Sequence, residues 1–178
     1  MRIAIILDHL DDLKPHKDTS LAIMREAAKR GHQLFVAMQG DVILRHEKVR
    51  ILAKSFAFSG GDVWYKLGDM TESAAADFDV VLMRKDPPFD NEFLYSTYLQ
   101  DLAEKQGARV LNHPGSVRDG NEKLSVANFP QFAPEFLVTR EQSLIREFLR
   151  THGDIVVKPL DGMELRGSSA GARACGRT

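Results

Sequence analysis

The sequence predicts an α/β protein built on a mostly parallel sheet, and three observations carry that reading. Short, almost wholly apolar runs recur at residues 2–7, 33–38 and 79–84, the pattern of strands buried on both faces. Segments with helical spacing separate or follow them. The first two runs are joined through one such segment, a unit that normally builds parallel strands. With 178 residues, 43% apolar and 28% charged, there is material for one large domain or two small ones.

Taken in order, residues 2–7 form the opening strand, closed by Asp8. A polar loop with Pro15, Lys17 and Asp18 follows. Leu21, Met24 and Ala28 then recur at helical spacing, with Asp18, Thr19 and Ser20 as possible N-caps and Gly31 as the stop. Residues 33–38 are the second strand. Residues 41–58 fit a hairpin turning at His46 and Glu47, Gly60-Gly61 marks a turn, and 63–67 reads as a short strand. DVVLMR at 79–84 is another buried strand, running into KDPPFD, whose prolines forbid helix interior and central strand. Residues 91–106 form an amphipathic helix ended by Gly107, 109–111 a short strand, and NHPGSVRDGNEK a polar loop. Beyond it, 121–128 reads as a short helix, 136–139 as a strand, 141–150 as a helix capped by Thr139 and stopped by Gly153, and 154–158 as a last strand. The final stretch, ELRGSSAGARACGRT, has no aliphatic residue larger than alanine after Leu165 and no aromatic, so it is expected to be disordered.

Composition excludes several function classes. Twenty-four Lys and Arg balance 25 Asp and Glu, a formal charge of −1, which gives no support for nucleic-acid or acidic-membrane binding. No apolar run is long enough to span a bilayer and no secretory leader is evident, so a cytoplasmic location is expected. The single Cys175 can form neither an internal disulfide nor a cysteine-based zinc site. The histidines at 9, 16, 32, 46, 113 and 152 show no paired metal spacing and read as surface or loop residues.

Four stretches have residue types suited to chemistry. Lys158, in KPLDG, leaves a predicted strand before a glycine turn; a lysine there can set a point charge beside phosphates, although a solvated lysine is the commoner case. Arg84, Lys85 and Asp86 open a proline-stiffened loop at the carboxyl end of a buried strand, where open α/β sheets bind ligands. Two cations there can hold a carboxylate, and a solvated turn with local ion pairs is the alternative. Asp18, Thr19 and Ser20 stand at a helix start after the first strand; such an N-terminus can accept an anion, but ordinary capping is the simpler role. No glycine-rich dinucleotide or P-loop fingerprint is present. Asn121-Glu122-Lys123 alone says only that a helix begins.

These stretches, in this order, resemble bacterial glutathione synthetases: IAIILD, KDTS, VVLMRKDPPFDNEFLYSTYL, LNHPGSVRDGNEKL, PEFLVTR and DIVVKPLDGM. The resemblance runs from residue 1 to Met163. It implies an ATP-grasp ligase that joins γ-glutamylcysteine to glycine using ATP and Mg2+. The cysteinyl carboxylate is first phosphorylated, and the glycine amine then attacks the acyl phosphate; such chemistry rests mostly on positioning and charge neutralisation. Carried over by motif, Lys123 and Lys158 correspond to ATP-binding lysines. Arg84, Lys85 and Asp86 correspond to the peptide-substrate site, with Asp18, Thr19 and Ser20 lining the same cleft. Family members assemble as homo-oligomers.

The family pattern continues after KPLDGM with a glycine-rich phosphate-covering segment, IFR, and about as many residues again, carrying the magnesium ligands and the glycine site. This sequence departs from it after Met163. The resemblance therefore divides the chain into a Rossmann-like pre-ATP-grasp substrate domain at 1–120, the start of an ATP-grasp domain at 121–163, and an aberrant tail at 164–178. No magnesium ligand and no assigned catalytic residue is expected here, and the chain alone is expected to be inactive. A one-base frameshift accounts for the tail: adding back one G after the Met163 codon restores glycine, and residues 167–170 then decode as Ile-Phe-Arg with suitable third bases. A chain ended by design or a natural variant with its own tail are the alternatives. A non-catalytic γ-glutamyl peptide binder and half of a split ligase remain the competing functions.

Overall fold

The computed structural model describes residues 1–60, 63–86 and 88–160. The expectations placed on the tail, including its disorder and its frameshift, lie outside the described residues. The chain divides into two compact units: Met1–Asp86 with Asp90–Asp119, and a second built mainly from Gly120 onward.

The first unit is a seven-stranded mixed sheet. Strand β1 (Arg2–Ile6) leads to helix α1 (Thr19–Lys29) and then β2 (Gln33–Ala37). Two antiparallel elements follow, β3 (Val42–Arg45) and β4 (Lys48–Phe58), then β5 (Tyr65–Ala74). Strand β6 (Val80–Met83), helix α2 (Asn91–Lys105), β7 (Val110–Leu111) and helix α3 (Pro114–Asp119) complete it. The order is β3-β4-β2-β1-β6-β7, with β5 on β4. Four strands, β2-β1-β6-β7, form a parallel block, and β3, β4 and β5 are antiparallel to their neighbours. Because β5 runs along β4 from Arg50 to Phe58, β2 and β3 share the other edge of β4, at residues 54–56 and 48–51.

The apolar runs do what their composition dictates. Ala4 and Ile6 of β1 point into one core with Val81, Phe93 and Ala103. Ile3, Ile5 and Leu7 point into the other with Leu21, Met24 and Leu34. Helices α1 and α2 therefore cover opposite faces, which is why β1 needs no polar face. Each helix has a carboxylate cap: Asp18 accepts from the Leu21 amide at 3.1 Å and Asp90 from the Phe93 amide at 2.9 Å. Gly31 adopts φ +74° after α1, the left-handed stop that glycine takes without a Cβ clash.

The β3–β4 hairpin turns where expected, with His46 and Glu47 both at positive φ, the conformation of a tight two-residue connection. Helix α2 fastens it from below. Gln106, after the last turn of α2, accepts from the Val49 amide at 2.8 Å and donates to the Glu47 carbonyl at 2.7 Å.

Several expectations are corrected. The strand expected at 63–67 runs from Tyr65 to Ala74; Gly68 and Asp69 interrupt any apolar alternation, and backbone pairing with β4 sets its length. The polar loop NHPGSVRDG contains α3, which Arg118 docks on α2. Its guanidinium donates to Thr97 Oγ1 at 3.2 Å, pairs with Asp101 at 2.6 Å and lies over the Tyr98 ring.

In the second unit, the helix expected at 121–128 is a single 3₁₀ turn at Ser125–Asn128. Helix α4 (Gln142–His152) is present, but its N-cap is Glu141, which accepts from the Ser143 amide. Thr139 instead accepts from the Glu141 amide at 3.0 Å. Neither 136–139 nor 154–158 is a strand; only Ile155 forms a bridge. A strand needs a partner for its amides and carbonyls, and the described part of this unit supplies no sheet. No described residue from 120 to 160 is buried, and Phe136, Leu137, Val138, Val156 and Val157 are exposed.

Candidate functional site

In the first unit three segments meet at the carboxyl ends of parallel strands. Strand β1 ends and Asp8 follows. Beside it β6 ends and Arg84 continues the ladder, its amide donating to the Ile6 carbonyl at 2.7 Å. The third segment is the start of α1. Such an edge is where sheets of this kind bind ligands, because the strands stop while the loops diverge.

The structure brings the predicted residues together here. Arg84 donates through Nε to Ser20 Oγ at 3.1 Å and through Nη2 to Thr19 Oγ1 at 2.8 Å. Ser20 is buried, so one of these anchors is shielded from water. Both partners are neutral hydroxyls, and Arg84 makes no ion pair among the described residues. Its charge is held in place without being neutralised, next to the positive end of α1. Asp18 is engaged as the cap of that helix.

Lys85 and Asp86 are organised by Asp8, which the sequence reading passed over as a mere strand terminator. Lys85 Nζ lies 2.6 Å from Asp8 Oδ1, and the Asp86 amide donates to Asp8 Oδ2 at 2.8 Å. Lys85 Nζ also donates to the Asp86 carbonyl at 2.7 Å. The pair is about three-quarters buried, at 21% and 27% exposure, so water screens it less than a surface pair. The available signal was position: a carboxylate immediately after five apolar residues at a carboxyl strand end. A cleft of ≈130 Å³ opens beside Asp8, lined also by Met38, Asp41, Lys54 and Tyr65. Tyr65 donates to Asp11 at 2.8 Å, and that bond, followed by desolvation and the Asp11 charge, raises the phenol above its ordinary value.

The second unit has the two lysines. Lys123 is mostly covered and lies 3.8 Å from Glu122. Lys158 is exposed, with no hydrogen bond or ion pair among the described residues. Asn121 links their two segments: its Oδ1 accepts from the amides of Lys123 and Leu124, both at 3.0 Å, and its Nδ2 donates to the Leu160 carbonyl at 3.0 Å. Sequence reasoning read Asn121 only as a helix start, because the link spans 39 residues. The donor set of two ammonium groups on segments tied by one amide suits a phosphate-bearing ligand. Among the described residues, no three His, Cys, Asp or Glu side chains are grouped to hold a metal ion. No helix among the described residues is long and apolar enough to cross a membrane.

Comparison with known proteins matches the sequence of this chain to one family. Residues 1–118 match the model of the prokaryotic glutathione synthetase N-terminal domain, and 122–170 match that of the prokaryotic glutathione synthetase ATP-grasp domain. The glutathione synthetase of Nitrosomonas europaea is 50% identical over 167 residues, covering 92% of this chain and 52% of that protein. Those of Ralstonia nicotianae and Neisseria meningitidis serogroup B are 45% and 44% identical, with 92% of this chain covered and 51% and 53% of theirs. The chain spans about half the length of the curated relatives it matches. It belongs to the prokaryotic glutathione synthetase family.

Proposed function

We propose that this chain carries the peptide-binding part, and the first nucleotide-binding lysines, of an ATP-dependent ligase that joins γ-glutamylcysteine to glycine in the cytoplasm. On this reading, residues 1–120 are the substrate domain and 121–163 begin the ATP-grasp domain. Arg84, Thr19 and Ser20 face a carboxylate of the peptide, with Lys85, Asp86 and Asp18 framing the same cleft. Lys123 and Lys158 contact ATP, which supplies the phosphoryl group that activates the peptide carboxylate. The whole ligase is a homo-oligomer.

The observation that carries the reading is Arg84, fixed by two hydroxyls and left with its charge unpaired among the described residues. A guanidinium pre-set in this way offers a planar fork to a carboxylate at little ordering cost.

Calorimetric titration of the 178-residue polypeptide with γ-glutamylcysteine tests it, with ATP–magnesium titrated separately. Peptide binding that is lost in Arg84→Met is expected. Phosphate release dependent on both peptide and glycine is not expected from this polypeptide alone, which matches half of its relatives' length. Absence of peptide binding by the wild-type polypeptide would sink the reading.

A further inference from the structure

We infer that the two adjacent cations of the loop have different tasks: Asp8 and Lys85 form a positioning pair, and Arg84 alone reads the ligand's anion. This rests on the proposed peptide-binding function and specifies how that site works.

The contacts separate the two side chains. Lys85 Nζ is spent twice within the protein, on Asp8 Oδ1 at 2.6 Å and on the Asp86 carbonyl at 2.7 Å. Its charge is already matched by a carboxylate on the neighbouring strand end. An ammonium so engaged has little left for a second anion, and taking it away would strand the Asp8 charge in a place about three-quarters buried. Arg84 has the opposite arrangement: among the described residues it touches two neutral hydroxyls and no carboxylate.

Asp8 also does more than pair a charge. Its second oxygen accepts the Asp86 amide at 2.8 Å, so one carboxylate grips the loop by side chain and by backbone just before the prolines. The grip starts one residue after Arg84, whose own amide is tied to the Ile6 carbonyl. Between these fixed points the Arg84 backbone has little freedom, and its guanidinium is aimed by Thr19 and Ser20. Asp8 and Lys85 thus act on the ligand through Arg84.

The test has a ligand-free arm and a ligand arm. Hydrogen exchange at the Asp86 amide is measured in wild type, Asp8→Asn and Lys85→Met, with Asp79→Asn as control. Asp79 accepts the Arg2 amide at 2.6 Å at the opposite end of the strands, the same bond type remote from the site. Exchange at Asp86 is expected to rise about tenfold in both loop variants, because Asp8→Asn takes the charge from the acceptor of that amide and Lys85→Met removes the cation that fixes the acceptor in place, and to stay unchanged in Asp79→Asn. Unchanged exchange in Asp8→Asn and Lys85→Met overturns the positioning role, whatever the ligand does. If Asp8→Asn does not fold, Lys85→Met gives the same readout.

In the ligand arm, γ-glutamylcysteine affinity is measured for Asp8→Asn, Lys85→Met and the double variant. Lys85→Met is expected to weaken binding about tenfold alone and to change it less than about twofold in the Asp8→Asn background. An equal loss in both backgrounds means Lys85 contacts the ligand itself and refutes the division of labour. No binding by wild type refutes the proposed function, while the exchange arm still decides whether Asp8 positions the loop.

Discussion

Replacing Gln106 by alanine is expected to destabilise the first unit out of proportion to its place at a helix end. The Gln106 side chain accepts from the Val49 amide at 2.8 Å and donates to the Glu47 carbonyl at 2.7 Å. Val49 is 1% exposed, so its amide has no water to turn to once the glutamine is gone. Leaving a buried donor unsatisfied costs about 1–3 kcal/mol. The Glu47 carbonyl is on an exposed residue and recovers a water, so it adds little. Gln106→Glu keeps the acceptor for the Val49 amide but sets a carboxylate oxygen against the Glu47 carbonyl; because that carbonyl is exposed and water can separate the two oxygens, the variant is expected to cost less than alanine. The single Trp64 sits in an aromatic cluster with Phe56, Phe58 and Tyr65, so its fluorescence reports unfolding of this unit. In urea, with a slope of about 2 kcal/mol per molar, the midpoint should fall by roughly 0.5–1.5 M. A Gln106→Ala midpoint within about 0.2 M of wild type, or an equal loss in Gln106→Glu, would refute the reasoning.

Leu21 and Met24 are both fully buried between α1 and the sheet; alanine at either should cost about 2–5 kcal/mol by urea unfolding. Asp18→Ala removes the cap bond to Leu21 and should cost about 1 kcal/mol, with Asp18→Asn close to wild type. The Tyr65 phenol is raised by its bond to Asp11. A raised folded value means that this contribution is present below the unfolded value of about 10 and is lost as pH rises through the folded one. The stability difference between wild type and Tyr65→Phe should therefore shrink above about pH 10, and a difference independent of pH would contradict it. Because no described residue from 120 to 160 is buried, limited proteolysis is expected to cut there before it cuts the first unit; early cleavage within β1, β2 or β6 would contradict this.

The sequence by itself determined the α/β class, the strands β1, β2 and β6, both long helices of the first unit and the β3–β4 turn. Each is written in a local signal: a continuous apolar run, a 3.6-residue repeat with a capping Asp, or a pair of residues able to turn. It also marked Arg84, Lys85, Asp86, Thr19 and Ser20 by placing cations and hydroxyls at predicted strand and helix ends. Tertiary structure alone decided that Arg84 lies against Thr19 and Ser20, more than sixty residues away, and that Asp8 holds Lys85. It also set the length of β5, folded α3 out of a polar stretch through Arg118, and left 136–139 and 154–158 without strand structure. In these cases the stabilising partner is distant in the chain. Propensity is a property of a short window, whereas a backbone amide or a charge is satisfied by whatever the fold brings beside it.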